Sequence, residues 1–181
     1  MSVPSARIVV IGLGNVFRRD DGLGPAVVTR LERRAGRGSL PAGVRFVCCD
    51  GEPGRLIDLW QGAGLAVVVD AARARPCRPG RVHRLEPDEC PGRQVGAASG
   101  HGLGLADAVE LARALGRMPD RLVVYAVEGA DGGPGRGLSP AVAAAVEPLA
   151  QRVEEEITQQ LCRTAARTSG SALRRPARCW R

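Results

Sequence analysis

The residues of this chain that could do chemistry are mostly carboxylates. Asp20 and Asp21 are adjacent in "IGLGNVFRRDDGLGPAVV" (11–28). Asp50 follows the vicinal pair Cys48–Cys49, Asp70 follows three valines, and Glu128 closes the apolar run "RLVVYAVE" (121–128). There are only two histidines. His83 lies in the alternating segment "RVHRL", whereas His101 has glycine on both sides in "AASGHGLGLADAV". Two carboxylates and an imidazole on one rim would suit a divalent, borderline metal such as nickel or zinc. Three protein ligands would leave positions open for substrate or water.

Each residue also has a plainer reading. Asp20 or Asp21 can cap the helix that follows. Asp50, followed by Gly51, reads as a turn or cap residue. Glu128 reads equally as a turn residue or a functional one, and His83 as an exposed strand residue. Asp70 is different, because a carboxylate abutting "VVV" loses hydration unless it has a partner. His101 is different too: flanking glycines let backbone approach a partner closely, so a ligand or catalytic role is favoured.

The elements that must position these groups alternate between strand and helix. "RIVVIG" (7–12), "GVRFVCC" (43–49), "GLAVVVDA" (64–71) and "RLVVYAVE" (121–128) are strand-like runs, most of them continuously apolar, as buried parallel strands are. "GRVHRLEP" (80–87) alternates and predicts an edge or half-exposed strand. Helices are predicted over 23–35, 54–62, 102–117 and 139–161. Ser139 is a suitable N-cap and Pro140 a suitable first residue, and Pro148 predicts a kink or a break. The pattern implies an α/β fold: a three-layer α/β/α sandwich on a mostly parallel, roughly five-stranded sheet. In such sheets ligands sit outside the carboxyl ends of the strands, where the carboxylates above fall.

Length and composition set the remaining expectations. The 181 residues suit one domain, placed at 1–162, and 44% hydrophobic residues make it globular. The net charge of +7 would suggest a nucleic-acid partner, but residues 163–181 carry six arginines and no acid. The rest of the chain is close to neutral, so nucleic acid is not expected and 163–181 reads as a frayed, Arg-rich tail. Cys48, Cys49, Cys77, Cys90, Cys162 and Cys179 form no C-x-x-C and no secreted disulfide framework. No apolar run approaches a membrane span, and a cytoplasmic location is expected. The opening G-x-G hints at a dinucleotide, the alternative reading. Phe17 stands where the third glycine belongs, however, and paired aspartates repel a pyrophosphate.

With those residues assembled, the chain resembles the hydrogenase maturation proteases, over about residues 7–161. The opening stretch is similar to the family's G-x-G-N…D-D/E-G-x-G signature. "DGEPGRLIDL" (50–59), "VVVDAA" (67–72), "SGHGLGL" (99–105) and "YAVEG…LSPAVAAAV" (125–146) follow in the family's order. The resemblance implies an endopeptidase that trims the C-terminus of a nickel–iron hydrogenase large-subunit precursor after nickel insertion. It implies that Asp21, Asp70 and His101 contact the nickel, which belongs to the substrate and is not tightly held by the free protein. Glu52 and Pro53 replace the small residues usual in the second segment. Gly129 stands where a proline is expected, and "GADGGPGRG" (129–137) is unusually glycine-rich.

Overall fold

The computed structural model describes residues 7–87 and 102–171. Strand β1, Ile8–Leu13, is buried at every position, because helices cover both faces of the sheet around it. Strands β2 (Val44–Cys49) and β3 (Leu65–Ala72) flank it in parallel, with Ile8 opposite both Val44 and Leu65. Strand β4, Val82–Leu85, is the expected edge and runs antiparallel to β5, Leu122–Glu128. The sheet has five strands in the order β2-β1-β3-β5-β4.

Side-chain alternation divides the core into two layers. Ile8, Val10, Leu65, Val67 and Val69 pack toward α1 (Leu23–Ala35) and α4 (Pro140–Ser171). Val9, Ile11, Ala66 and Val68 pack toward α2 (Pro53–Trp60) and α3 (Gly102–Ala114). The chain leaves β1 toward one side of the sheet and returns to β3 on the other. A crevice therefore opens between the carboxyl ends of β1 and β3.

Two glycines set how closely α1 approaches that crevice. A Cβ on Gly24, in the first turn of α1, would lie 2.6 Å from Leu13 N and 2.7 Å from Val69 O. A Cβ on Gly12 would overlap the Gly24 carbonyl and lie 2.9 Å from Val28 Cγ2. The first glycine of the opening G-x-G thus serves helix-on-strand packing.

Three expectations are corrected. Of the kink or break expected at Pro148, the break does not occur, since α4 runs on through it. Proline removes a hydrogen bond and costs about 3 kcal/mol inside a helix. Pro148 is exposed, so the carbonyl it frees, on exposed Ala144, faces water. Val142, Leu149, Val153 and Ile157 are fully buried on the opposite side, each worth about 1.5–3 kcal/mol. The same helix continues to Ser171, nine residues into the segment read as a frayed tail. Ala165, Ala166 and the arginines there propagate a helix already nucleated, without needing a core. Residues 172–181 lie outside the described residues.

The third correction concerns His83, which is not a bare exposed residue. Its Nε2 lies 2.7 Å from Oε1 of the buried Glu128. Deeper along the same edge, Glu156 of α4 is buried between Arg84 of β4 and Arg121, each 2.7 Å away. Tyr125 donates to Glu156 at 3.3 Å. Burial, reinforced by that carboxylate, pushes the Tyr125 phenol up to about 12. These contacts clip the short edge strand to α4.

Gly24→Ala is expected to destabilise the protein by about 2–3 kcal/mol, since the obstructing atoms are backbone and cannot swing aside. Thermal melts should show a Tm lower by about 4–10 °C. A Gly24→Ala melt matching wild type would remove this role for the close contact.

Candidate active site

The loop after β1 leaves the sheet through Gly14, whose φ of 123° belongs to glycine. Gly14 N donates to Cys49 O at 3.1 Å, tying the loop to the end of β2. A Cβ on Gly14 would overlap the Asp21 carbonyl, so glycine there lets Asp21 fold back over the strand end. Asn15 makes the turn: its Oδ1 accepts from Phe17 N at 2.9 Å, and its own N donates to Asp21 Oδ2 at 2.9 Å. Asp20 and Asp21 lie in a 3-10 turn, Arg19–Gly22, that leads into α1.

The two aspartates have separate environments. Asp20 is 1% exposed. Its Oδ2 accepts from Ala130 N at 2.8 Å, Asp131 N at 2.9 Å and Ser139 Oγ at 3.0 Å, and its Oδ1 from Ser139 N at 2.6 Å. Asp20 therefore does not cap α1. It organises the loop after β5 and the start of α4. Burial pushes its carboxyl upward, but the N–H groups of Ser139, Asp131 and Ala130 and the Ser139 hydroxyl outweigh it and hold the carboxyl below the usual range. Backbone bonds lace the same two loops together, with Arg19 N on Gly135 O and Gly135 N on Phe17 O. Arg19 itself is held at a φ of 46°, left-handed and strained for a side-chain-bearing residue.

Asp21 faces the other way. With Arg18 it lines an open cleft floored by Ala71 and Ala72 at the end of β3. Arg73, Gly129 and Gly132 complete the lining. Asp70, 5% exposed, lies one residue before that floor. It is in step with Ala66 and Val68, so it stands on the α2–α3 side of the sheet. Helix α3 reaches this end of the sheet closely, since a Cβ on Gly104 would overlap the Gly51 carbonyl. His101 directly precedes α3 but lies outside the described residues. Among the described residues, no three His, Cys, Asp or Glu side chains are grouped so as to hold a metal.

The other carboxylates do structural work. Asp50 accepts from Glu52 N at 3.4 Å, as a turn residue does. Glu52 caps α2, accepting from Gly54 N at 2.8 Å and Arg55 N at 2.7 Å, with Pro53 as the first helical residue. The "EP" pair thus builds a helix start. Glu128 accepts from Arg78 N and pairs with His83, and these bonds hold its carboxyl below the usual range despite burial. Sequence reasoning passed over Arg18 and Arg73. Their only signal is position, since Arg73 falls three residues after Asp70 at the end of an apolar strand.

Comparison with known proteins decides the family. A family model described as hydrogenase maturation protease matches residues 26–156. The chain belongs to the hydrogenase maturation protease family. The hydrogenase 2 maturation protease of Escherichia coli K12 is 30% identical over 147 residues, covering 81% of this chain and 88% of that protein. The HupD hydrogenase expression/formation protein of Bradyrhizobium diazoefficiens is 31% identical over 148 residues, covering 78% of this chain and 73% of its own. The solved structure of the E. coli hydrogenase maturating endopeptidase HybD superposes with a TM-score of 0.70 at 27% identity, covering 84% of this chain and 93% of that one. A member of this family is a peptide-bond hydrolase, and its sheet is the five-stranded α/β sheet described above. No helix among the described residues is long and apolar enough to cross a membrane.

Removing the Asp20 carboxylate leaves three backbone N–H groups without their acceptor. Asp20→Ala is expected to destabilise the protein by roughly 2–4 kcal/mol, at about 1–3 kcal/mol per unsatisfied buried group with partial relief by water. The pH sign follows from the lowered carboxyl. Its stabilisation is complete above the ordinary Asp value of 3.8 and is lost as pH falls through the depressed folded value. Urea titrations between about pH 2 and 6 should show wild-type stability falling in acid, and falling less in Asp20→Asn. Equal acid slopes in the two proteins would contradict this role.

Proposed function

We propose that this protein removes a C-terminal extension from a nickel–iron hydrogenase large-subunit precursor once nickel has been inserted. The observation that carries the proposal is the open cleft at the carboxyl end of β3, with Asp21 in its wall, in a chain that belongs to the maturation proteases. Asp21, Asp70 and His101 act together: they complete the contact with the nickel that the precursor presents. The metal is substrate here and arrives with the precursor.

The chemistry follows from that arrangement. A metal held between two proteins is a recognition element, so an empty precursor presents nothing for the three side chains to grip. Held beside the scissile bond, the same cation can polarise the carbonyl or a water. An aspartate of the set acting as general base on that water is the other route to hydrolysis. Asp21 suits either role, because the Asn15 N–H orients one of its oxygens and the residue lines the cleft.

The alternative is a nucleotide-binding protein on the same sheet. Space argues against it. The space at Gly12 is filled by the Gly24 backbone and that at Gly24 by the Leu13 and Val69 backbone, leaving no seat for a pyrophosphate at the start of α1. Thermal shift with NAD, FAD and ATP is expected to show no stabilisation. A rise of several degrees with one of them would favour the nucleotide reading.

Trimming of a nickel-loaded precursor in vitro tests the proposal, with metal-free precursor as control. Wild type is expected to trim only the loaded form. Asp21→Asn, Asp70→Asn and His101→Ala should each fold normally and lose about 100-fold or more in rate. Trimming at the wild-type rate by all three would remove the residue assignments, and equal trimming of empty precursor would remove the role of nickel.

A further inference from the structure

The cleft that holds Asp21 is also lined by two arginines, which metal recognition does not use. Arg18 comes from the loop after β1 and Arg73 from the residue that follows β3. Both converge on Gly132. Arg18 Nε donates to Gly132 O at 3.4 Å, and a Cβ on Gly132 would overlap the Arg73 guanidinium. The Arg73 guanidinium thus lies directly against Gly132, in the loop after β5. That loop is itself fixed by Asp20 through the N–H groups of Ala130 and Asp131.

Neither arginine belongs to an ion pair among the described residues. Other arginines differ: Arg19 pairs with Asp131 at 3.2 Å, and Arg117 with Asp58 at 2.9 Å. Arg84 and Arg121 both pair with Glu156. The two cleft arginines stay exposed beside a carboxylate, over a floor of small alanines. The cleft thus presents a negative point at Asp21 and a positive edge alongside it. A matching ligand carries a cation and, next to it, an anion. Planar guanidinium forks bind carboxylates in bidentate fashion, which adds direction to charge.

We propose that Arg18 and Arg73 form a carboxylate-binding subsite that positions the precursor's C-terminal segment beside Asp21. This inference rests on the processing function proposed above. The carboxylate is either an acidic side chain of the extension or its terminal α-carboxylate.

The test uses the full chain and a fluorescein-labelled, nickel-loaded precursor, with binding read by anisotropy and trimming by kcat and KM. The double variant Arg18→Gln/Arg73→Gln is expected to melt as wild type does, because both side chains are exposed. It should bind the precursor about 10- to 100-fold more weakly and raise KM to match, with kcat nearly unchanged. Arg18→Lys/Arg73→Lys should recover part of the binding, since charge returns without the fork. Two altered precursors identify the source of the carboxylate. One has every Asp and Glu of the extension changed to Asn and Gln. The other has the extension lengthened by Gly-Ser, which moves its α-carboxylate. Wild type and the double variant should become indistinguishable on one of these.

Wild-type binding and KM in the double variant would overturn the proposal. So would a fall in kcat alone, or an undiminished difference on both altered precursors. Wild type that binds the precursor tightly but fails to trim it contradicts the processing function, while the binding arms still decide the subsite. Absence of binding by wild type overturns both.

Discussion

One buried carboxylate holds the rim of this protein together. Asp20 accepts four hydrogen bonds from residues more than a hundred positions away, three of them from backbone N–H groups. A charge taken out of water at this depth is tolerable only when its oxygens are so satisfied. In return it fixes the loop after β5 against the loop after β1. The strained turn at Arg19, the backbone bonds to Gly135 and the start of α4 all depend on that clamp. The neighbouring Asp21 takes no part in that clamp: it accepts from Asn15 N and lines the cleft.

The glycines belong to the same construction. Gly12 and Gly24 bring α1 against the ends of β1 and β3 at backbone distance, and Gly14 lets Asp21 fold back over the strand. Gly104 brings the first turn of α3 onto Gly51, so the chain segment that follows His101 is anchored at the same end of the sheet. Small residues here replace a phosphate seat with close packing. What remains open is a shallow cleft with a carboxylate wall and a cationic edge. That suits an extended peptide bearing a metal better than a nucleotide.

Much of this was legible in the residues. Helix α1 spans Leu23–Ala35 as its periodicity indicates, and the continuous apolar runs became parallel strands. The alternation of "RVHRL" placed β4 at the edge. These are local signals, and local signals survive folding. What escaped was long-range pairing. Nothing in "RRDDG" says which aspartate will meet Ser139, and nothing near His83 names Glu128. Arg73 escaped because an arginine after a strand looks like any solvated charge until its guanidinium is seen against Gly132 in the cleft. The extent of α4 escaped because lost hydrophobic periodicity and an Arg-rich composition both read as a tail, while Ala- and Arg-rich sequence extends a helix without a buried face.

The central claim is that Asp21, Asp70 and His101 complete the coordination of a nickel ion carried by the precursor. X-ray absorption at the nickel edge addresses it directly, on rapidly frozen loaded precursor with and without this protein. Addition of wild type should add oxygen and nitrogen scatterers at about 2.0–2.2 Å, the range of carboxylate and imidazole ligands on similar divalent ions. The gain should shrink with Asp21→Asn. A nickel spectrum identical in the presence and absence of the wild-type protein, under conditions where the two proteins bind, would contradict the claim.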